Sequence, residues 1–330
     1  MSERVVLFRE RVGFALLEPV KAHVRRILKR RQIRPVVIRP GLQSAHLVAA
    51  VMVKNEAHRL PALLRHYRRL GVEHFIFIDN ESTDTLLSLL IGVNDVSIYR
   101  AEGSFSSARY GLDWLNTVLS RHCSGKWVVH VDADEFLVFD SELPDLLSVC
   151  AWLKKSGRRS LQAIMIDMYS DRKATQNVVR EGQDPLEVCS LFDATGYERH
   201  HHWASATTWV KGGVRGRLFF PDRWEGPALN KTPLVLWRRR YAYLRAAHLI
   251  WPRNLNGGLK TAELALLHFK FTPSASALMV DEGHRAQHTT EYRAYDNIRD
   301  VIMVGDETRQ YRQPADLTGH GLIARIGSTF

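Results

Sequence analysis

Trp127-Val128-Val129-His130-Val131-Asp132-Ala133-Asp134-Glu135-Phe136-Leu137 is an apolar run of strand character that ends in two carboxylates one residue apart. Carboxylates inside a strand would be buried without partners, which costs several kcal/mol. At the carboxyl end of a parallel strand they face the crevice where open α/β sheets bind ligands. Asp132 and Asp134 are alternate residues on an extended chain, so they point the same way and can share one hard cation. A strand followed by a solvated acidic turn carries the same tripeptide, so the surrounding chain has to decide between the two.

Leu47-Val48-Ala49-Ala50-Val51-Met52-Val53 is a continuous apolar run, as in a buried parallel strand, and Lys54-Asn55-Glu56 closes it. Pro61 suits the first turn of a helix whose Leu60, Leu63, Leu64 and Tyr67 share one face. Gly71 supplies its left-handed cap. Val72 to Asp79 reads as a second strand, again ending in a carboxylate, and Asn80 to Asp84 as a turn before a helix over Leu86–Ile91. Val96–Tyr99 is a short third strand, Phe105–Arg121 carries a helix, and Lys126–Asp132 is the fourth strand. Such alternation predicts a doubly wound α/β sheet with its polar groups gathered at one edge. No Gly-x-Gly-x-x-Gly follows the first strand, and no Gly-x-x-x-x-Gly-Lys occurs. A nucleotide would therefore be held by side chains and a metal rather than by a glycine cradle.

Bulk properties fit this reading. The chain has 330 residues, 45% hydrophobic and 25% charged, an ordinary globular composition with ample length for a core. No apolar run approaches the ~20 residues that span a bilayer. Charges in the first ten residues interrupt any leader-like apolar region, so secretion by that route is not expected and a cytoplasmic location is. Cys123, Cys150 and Cys189 are widely spaced and odd in number, as for reduced thiols serving as small core hydrophobes. Residues 1–40 hold eleven Lys and Arg against three Glu, +8 of the formal +11. The remainder is near neutral, which argues against nucleic acid as a partner. Val20, Val24, Ile27 and Leu28, with Leu16 and Leu17, recur at helical spacing opposite the Arg and Lys of 21–31. A basic amphipathic helix of this kind can make peripheral contact with the inner face of a membrane; it is equally the solvated face of a helix docked on its own domain.

Val53-Lys54-Asn55-Glu56, His66-Tyr67 with Leu70-Gly71-Val72, Asp79-Asn80-Glu81-Ser82-Thr83-Asp84 and the Trp127–Phe136 stretch follow in order. So do Lys211-Gly212-Gly213-Val214-Arg215-Gly216-Arg217-Leu218-Phe219, Asn230-Lys231-Thr232-Pro233-Leu234-Val235 and Leu266-Leu267-His268-Phe269-Lys270. Together, over roughly residues 46–272, they resemble the bacterial family-2-like glycosyltransferases, including those similar to the family-92 group. The resemblance implies a GT-A-type doubly wound mixed sheet with flanking helices. It implies a nucleotide-sugar half (46–140) and an acceptor half (141–272); a basic amphipathic N-terminal extension (1–45) and a C-terminal helical extension (273–330) lie outside it.

The resemblance further implies a nucleotide-sugar donor and a glycan or lipid-linked acceptor of the cell envelope or of a polysaccharide. Asp79, Lys54, Asn55 and Glu56 would contact the nucleoside, since a carboxylate accepts from an imide N–H or a hydroxyl. Asp84 would either join them or cap the next helix. Arg109 would reach the diphosphate or remain a helix-surface cation. Asp132 and Asp134 would hold Mn²⁺ or Mg²⁺, which neutralises charge on the departing nucleoside diphosphate. His268 is a further metal ligand in the family pattern, although a lone His in an apolar run is ordinarily a core residue. The resemblance leans to inverting rather than retaining transfer, between which the residues themselves do not decide. Inversion needs a general base, for which Asp222 and Glu225, flanking a Trp224 able to stack on a sugar, are the candidates. Arg199-His200-His201-His202-Trp203 reads as a solvated or acceptor-contacting loop, because three adjacent histidines face no common direction. Gly212-Gly213 suggests close backbone approach, and Arg215 and Arg217 read as same-face cations on a strand. His248 is a further candidate for the site, and a helix-like stretch runs to Asp300. The competing functions are a nucleotidyltransferase of related fold, and a non-catalytic protein that binds a membrane surface or nucleic acid through residues 1–40.

Overall fold

A computed structural model describes residues 12–220, 222–272 and 301–327; the stretch expected to be helical up to Asp300 lies outside them. The strands are β1 (Ile33–Val37), β2 (Leu47–Val53), β3 (His74–Asp79), β4 (Val96–Ala101), β5 (Trp127–Asp132), β6 (Glu135–Val138) and β7 (Ser160–Asp167). They continue as β8 (Leu191–Asp193), β9 (Tyr197–His202), β10 (Thr207–Gly212) and β11 (Asn230–Leu236). β12 (Ala242–Arg245), β13 (Leu249–Trp251), β14 (Leu264–His268) and β15 (Thr308–Gln310) complete the set. Nine of them form one sheet in the order β1-β4-β3-β2-β5-β11-β7-β14-β6. β4, β3, β2 and β5 run parallel, as do β7 and β14; β1, β11 and β6 are antiparallel to their neighbours. The expected doubly wound mixed α/β architecture is present.

Strand alternation explains why both faces are covered. Leu47, Ala49, Val51 and Val53 enter one core with Phe75, Phe77 and Leu63. Val48 and Ala50 enter the other with Ile76, Ile78, Trp114 and Leu115. Helices Leu60–Arg69 and Leu146–Lys155 pack on the first face, and helix Leu112–His122 on the second.

Three local expectations need correction. The helix predicted from Phe105 starts at Leu112, because Arg109, Tyr110 and Gly111 all take positive φ and cannot continue a right-handed turn. Arg215 and Arg217 lie on a helix, Gly213–Phe219, rather than on a strand. Gly212 (φ 112°) and Gly213 (φ 59°) switch β10 into that helix, and a Cβ on Gly212 would stand 2.0 Å from the Gly196 carbonyl oxygen. The close backbone approach expected there is real; the strand beyond it is not. His200 to His202 belong to β9, paired antiparallel with β10, rather than to a loop.

Candidate functional site

The carboxyl ends of β2, β3 and β5 open onto a cleft of about 470 Å³, closed on its far side by the end of β14. That size suits a small organic ligand. Lys54, Asn55, Glu56, Asn80, Asp132, Asp134, His268 and Lys270 give its polar lining, and Met52, Phe105 and Trp114 its apolar part. Six of the expected site residues are therefore together: Lys54, Asn55, Glu56, Asp132, Asp134 and His268.

Sheet register brings His268 to the aspartates. After β5 the chain turns at Ala133-Asp134 and pairs β6 with β14, which sets His268 opposite Glu135. The Phe269 N–H donates to the Asp134 carbonyl at 2.9 Å and locks this turn. On its other side β14 runs parallel to β7, opposing His268 to Asp167. The imidazole thus lies between carboxylates, its Nε2 3.4 Å from Asp134 Oδ2 and its Nδ1 2.6 Å from Asp167 Oδ1. Arg215 Nε donates to the other Asp167 oxygen at 2.7 Å. Burial alone would lower the His268 pKa, but Asp134 and Asp167 outweigh it and raise it. Burial would likewise raise Asp134, and His268 instead holds it well below the usual carboxylate range.

Asp132 and Asp134 line the same cleft but engage different cations. Lys231, on β11 and buried, donates to Asp132 Oδ2 at 2.8 Å and also to Glu135 Oε1. The Asp132 side chain keeps half of its surface exposed. Glu135 is fully buried and closes the loop by accepting from the Asp132 N–H at 3.1 Å. Sequence reasoning gave Lys231 no role. Its available signal was a lysine inside a strand, since a buried ammonium requires acidic partners.

The remaining candidates are placed elsewhere. Strand alternation puts Ile78 and Asn80 on the cleft and turns Asp79 into the wall. There Asp79 Oδ1 accepts from the Ser82 N–H at 2.9 Å, and its Oδ2 is buried with no partner among the described residues. Asp84 accepts from the Ala57 and Leu86 N–H groups at 2.9 and 3.1 Å, the capping role. Arg109 is not a lining residue; its guanidinium is held by the buried Asp113. Asp222 and Glu225 are exposed and do not line the cleft, and Asp222 accepts from the Trp224 N–H at 2.8 Å. Trp224 packs edge-on against His200, 5.8 Å between ring centroids. His248 is tied to the Asn230 carbonyl. The three cysteines are buried and free.

Glu56 carries a testable electrostatic signature. Burial pushes its pKa up to about 7, with Asp134 and Asp84 adding to the rise and Arg59, 2.8 Å away, opposing it. An acid whose folded pKa exceeds its unfolded one binds its proton more tightly in the folded state. Its contribution is fully present below the ordinary glutamate range and is lost as pH rises through about 7. Glu56→Gln is therefore expected to gain Tm relative to wild type between pH 5 and pH 8 (about the window set by the two pKa values). A constant difference across that window would remove the assignment.

No protein-family model and no curated protein matches the chain. Solved structures match it in part. A mannosyltransferase from Pyrobaculum calidifontis, in complex with GDP-Man and Mn²⁺, is 20% identical, with 51% of this chain and 46% of that one covered and a TM-score of 0.24. Glucosyl-3-phosphoglycerate synthase from Mycobacterium tuberculosis, in complex with phosphoglyceric acid, is 18% identical over 44% of this chain and 53% of that one, TM-score 0.26. A 4-diphosphocytidyl-2C-methyl-D-erythritol synthase is 13% identical over 84% of this chain and 98% of that one, TM-score 0.27. The chain spans about half the length of the first two.

Proposed function

We propose that the protein is a metal-dependent glycosyltransferase of GT-A type, moving a sugar from a nucleotide-sugar donor to a cell-envelope or polysaccharide acceptor with inversion, at the cytoplasmic side of the membrane. The observation that carries this reading is the convergence of Asp132, Asp134 and His268 on one cleft with Lys54, Asn55 and Glu56.

The donor set fits a divalent cation. Asp134 Oδ2 and His268 Nε2 are separated by 3.4 Å, a gap that one ion bonded to both can bridge. Asp167 accepts from His268 Nδ1 and so leaves Nε2 directed at Asp134, the usual outer support of a ligating histidine. Among the described residues no group of three His, Cys, Asp or Glu can hold an ion by itself. Mn²⁺ or Mg²⁺ held by one or two protein groups would take phosphate oxygens and water as its other ligands. Bound there, the ion would offset charge on the departing nucleoside diphosphate.

The chain's own residues supply the rest. Phe105 and Trp114 give a nucleoside an apolar surface, and Asn55 and Asn80 give it amide hydrogen-bonding groups. Lys54 and Lys270 bring positive charge to a diphosphate. Lys231 holds Asp132 in place at the cleft floor. Asp222 and Glu225 remain the proposed acceptor-side bases, with Trp224 as the sugar-stacking surface.

The test is turnover of a panel of nucleotide sugars with Mn²⁺ or Mg²⁺, read as nucleoside diphosphate release. Metal-dependent release from one donor supports the proposal. Pyrophosphate release from a nucleoside triphosphate and a sugar phosphate would make the protein a nucleotidyltransferase. No release in either assay would overturn both.

A further inference from the structure

Helix Glu18–Lys29 is docked on the body the wrong way round for a soluble protein. Its cationic side faces inward: Arg25 Nε donates to the buried Asp113 at 3.0 Å, and Arg26 Nη1 to Ser120 Oγ at 2.6 Å and to the Arg239 carbonyl at 3.0 Å. Ala22, with Phe14 just before the helix, fills the small apolar contact with Ala242, Leu244 and Leu249. Leu16, Leu17, Val20, Val24, Ile27 and Leu28 are left 45% to 70% exposed along one side. An amphipathic helix packed only on its own domain buries that stripe and solvates its arginines. Here ion pairs and hydrogen bonds hold the arginines, and the apolar stripe has no partner among the described residues.

The surroundings say what covers it. Lys21 borders the stripe, Glu18 is the only carboxylate on the helix, and Lys21 neutralises it at 3.1 Å. Arg239 and Arg240 are exposed next to the helix: Arg26 donates to the Arg239 carbonyl, and Arg240 shares a surface groove with Val20 and His23. A second copy meeting this face about a twofold axis would bring two cation-rimmed faces together, with few carboxylates to offset them. An apolar ridge rimmed by cations instead matches an anionic bilayer, in which acyl chains take the leucines and valines and phosphate headgroups take the arginines. We propose that this face docks the protein on an anionic membrane surface, with the helix lying in the interfacial plane. The proposal does not rest on the proposed reaction.

The test is co-sedimentation of the full chain with phosphatidylcholine vesicles, with and without phosphatidylglycerol. The expected result is salt-sensitive binding to the anionic vesicles only. A Val24→Asp/Leu28→Asp variant should bind at least about tenfold more weakly, a loss of about 1.4 kcal/mol. Arg239→Ser/Arg240→Ser should lower both the binding and its salt dependence. Both pairs are exposed, so Tm and sugar-nucleotide binding should stay unchanged. Absence of wild-type binding at low salt, or equal binding by the aspartate variant, overturns the proposal. A wild-type dimer that the aspartate variant converts to monomer, without vesicle binding, assigns the face to a second copy and also overturns it.

Discussion

Asp134→Ala is expected to abolish metal-dependent stabilisation by a nucleoside diphosphate. In the wild type, a ligand at 100 times its dissociation constant adds about 2.7 kcal/mol to unfolding, which a thermal shift resolves readily. Asp134 is the carboxylate that faces His268 across 3.4 Å, so its removal takes away the protein donor nearest the imidazole. The fold should persist at some cost in Tm, because the imidazole loses one of its two carboxylates while Asp167 still accepts from His268 Nδ1 and the locking hydrogen bond uses the Asp134 main-chain carbonyl. The measurement compares Tm with each nucleoside diphosphate, with and without Mn²⁺, on both proteins. A variant that keeps the full metal-dependent shift would remove Asp134 from the site. A shift that persists in the wild type without metal would show that side chains alone hold the nucleotide.

Lys231→Ala should be the most damaging single change near the cleft. The ammonium is the countercharge of Glu135, which is fully buried, and it also holds Asp132. Removing one partner of a buried ion pair leaves an uncompensated charge and costs about 3–5 kcal/mol. Burial already pushes the Glu135 pKa upward with the lysine in place, so low pH would let the carboxyl protonate and hide part of the loss. The comparison therefore belongs near pH 8 (roughly the upper limit of ordinary maximal stability), by denaturant unfolding. Adding Glu135→Gln to Lys231→Ala should restore part of the stability, since the amide removes the buried charge. A single variant within about 0.5 kcal/mol of wild type, the range of ordinary surface substitutions, would show that Lys231 is not what compensates Glu135.

The parallel half of the sheet was legible because its strands state their own burial. β2, β3 and β5 are apolar runs with polar residues at one end, and that end is where the cleft lies. β11 was not legible as a central strand. It carries Pro233, and a proline in an otherwise central-looking strand argues against that position. The structure accommodates it where the pairing with β7 slips between Lys231 and Leu234. β1 hid for a related reason: Ile33-Arg34-Pro35-Val36-Val37 is an exposed edge strand with no apolar alternation. Asp79 and Asp132 look alike in sequence, each ending a strand. Which face each carboxylate takes is set by register, and Asp79 falls on the wall side while Asp132 reaches the cleft. The positions of Asp222 and Glu225 depend on how the second half folds back, which spacing along the chain does not convey.

The path of β11 has a consequence for biosynthesis. Asp132 and its lysine are 99 residues apart, and Asp167 and His268 are 101 apart. Long-range pairings of this kind close large loops before any contact rewards them, which slows folding. A nascent chain that has emerged only through β7 holds Glu135 and Asp167 without Lys231, Arg215 or His268. Burying those carboxylates in charged form is costly until their cations arrive, which favours closing the middle of the sheet only after most of the chain has left the ribosome.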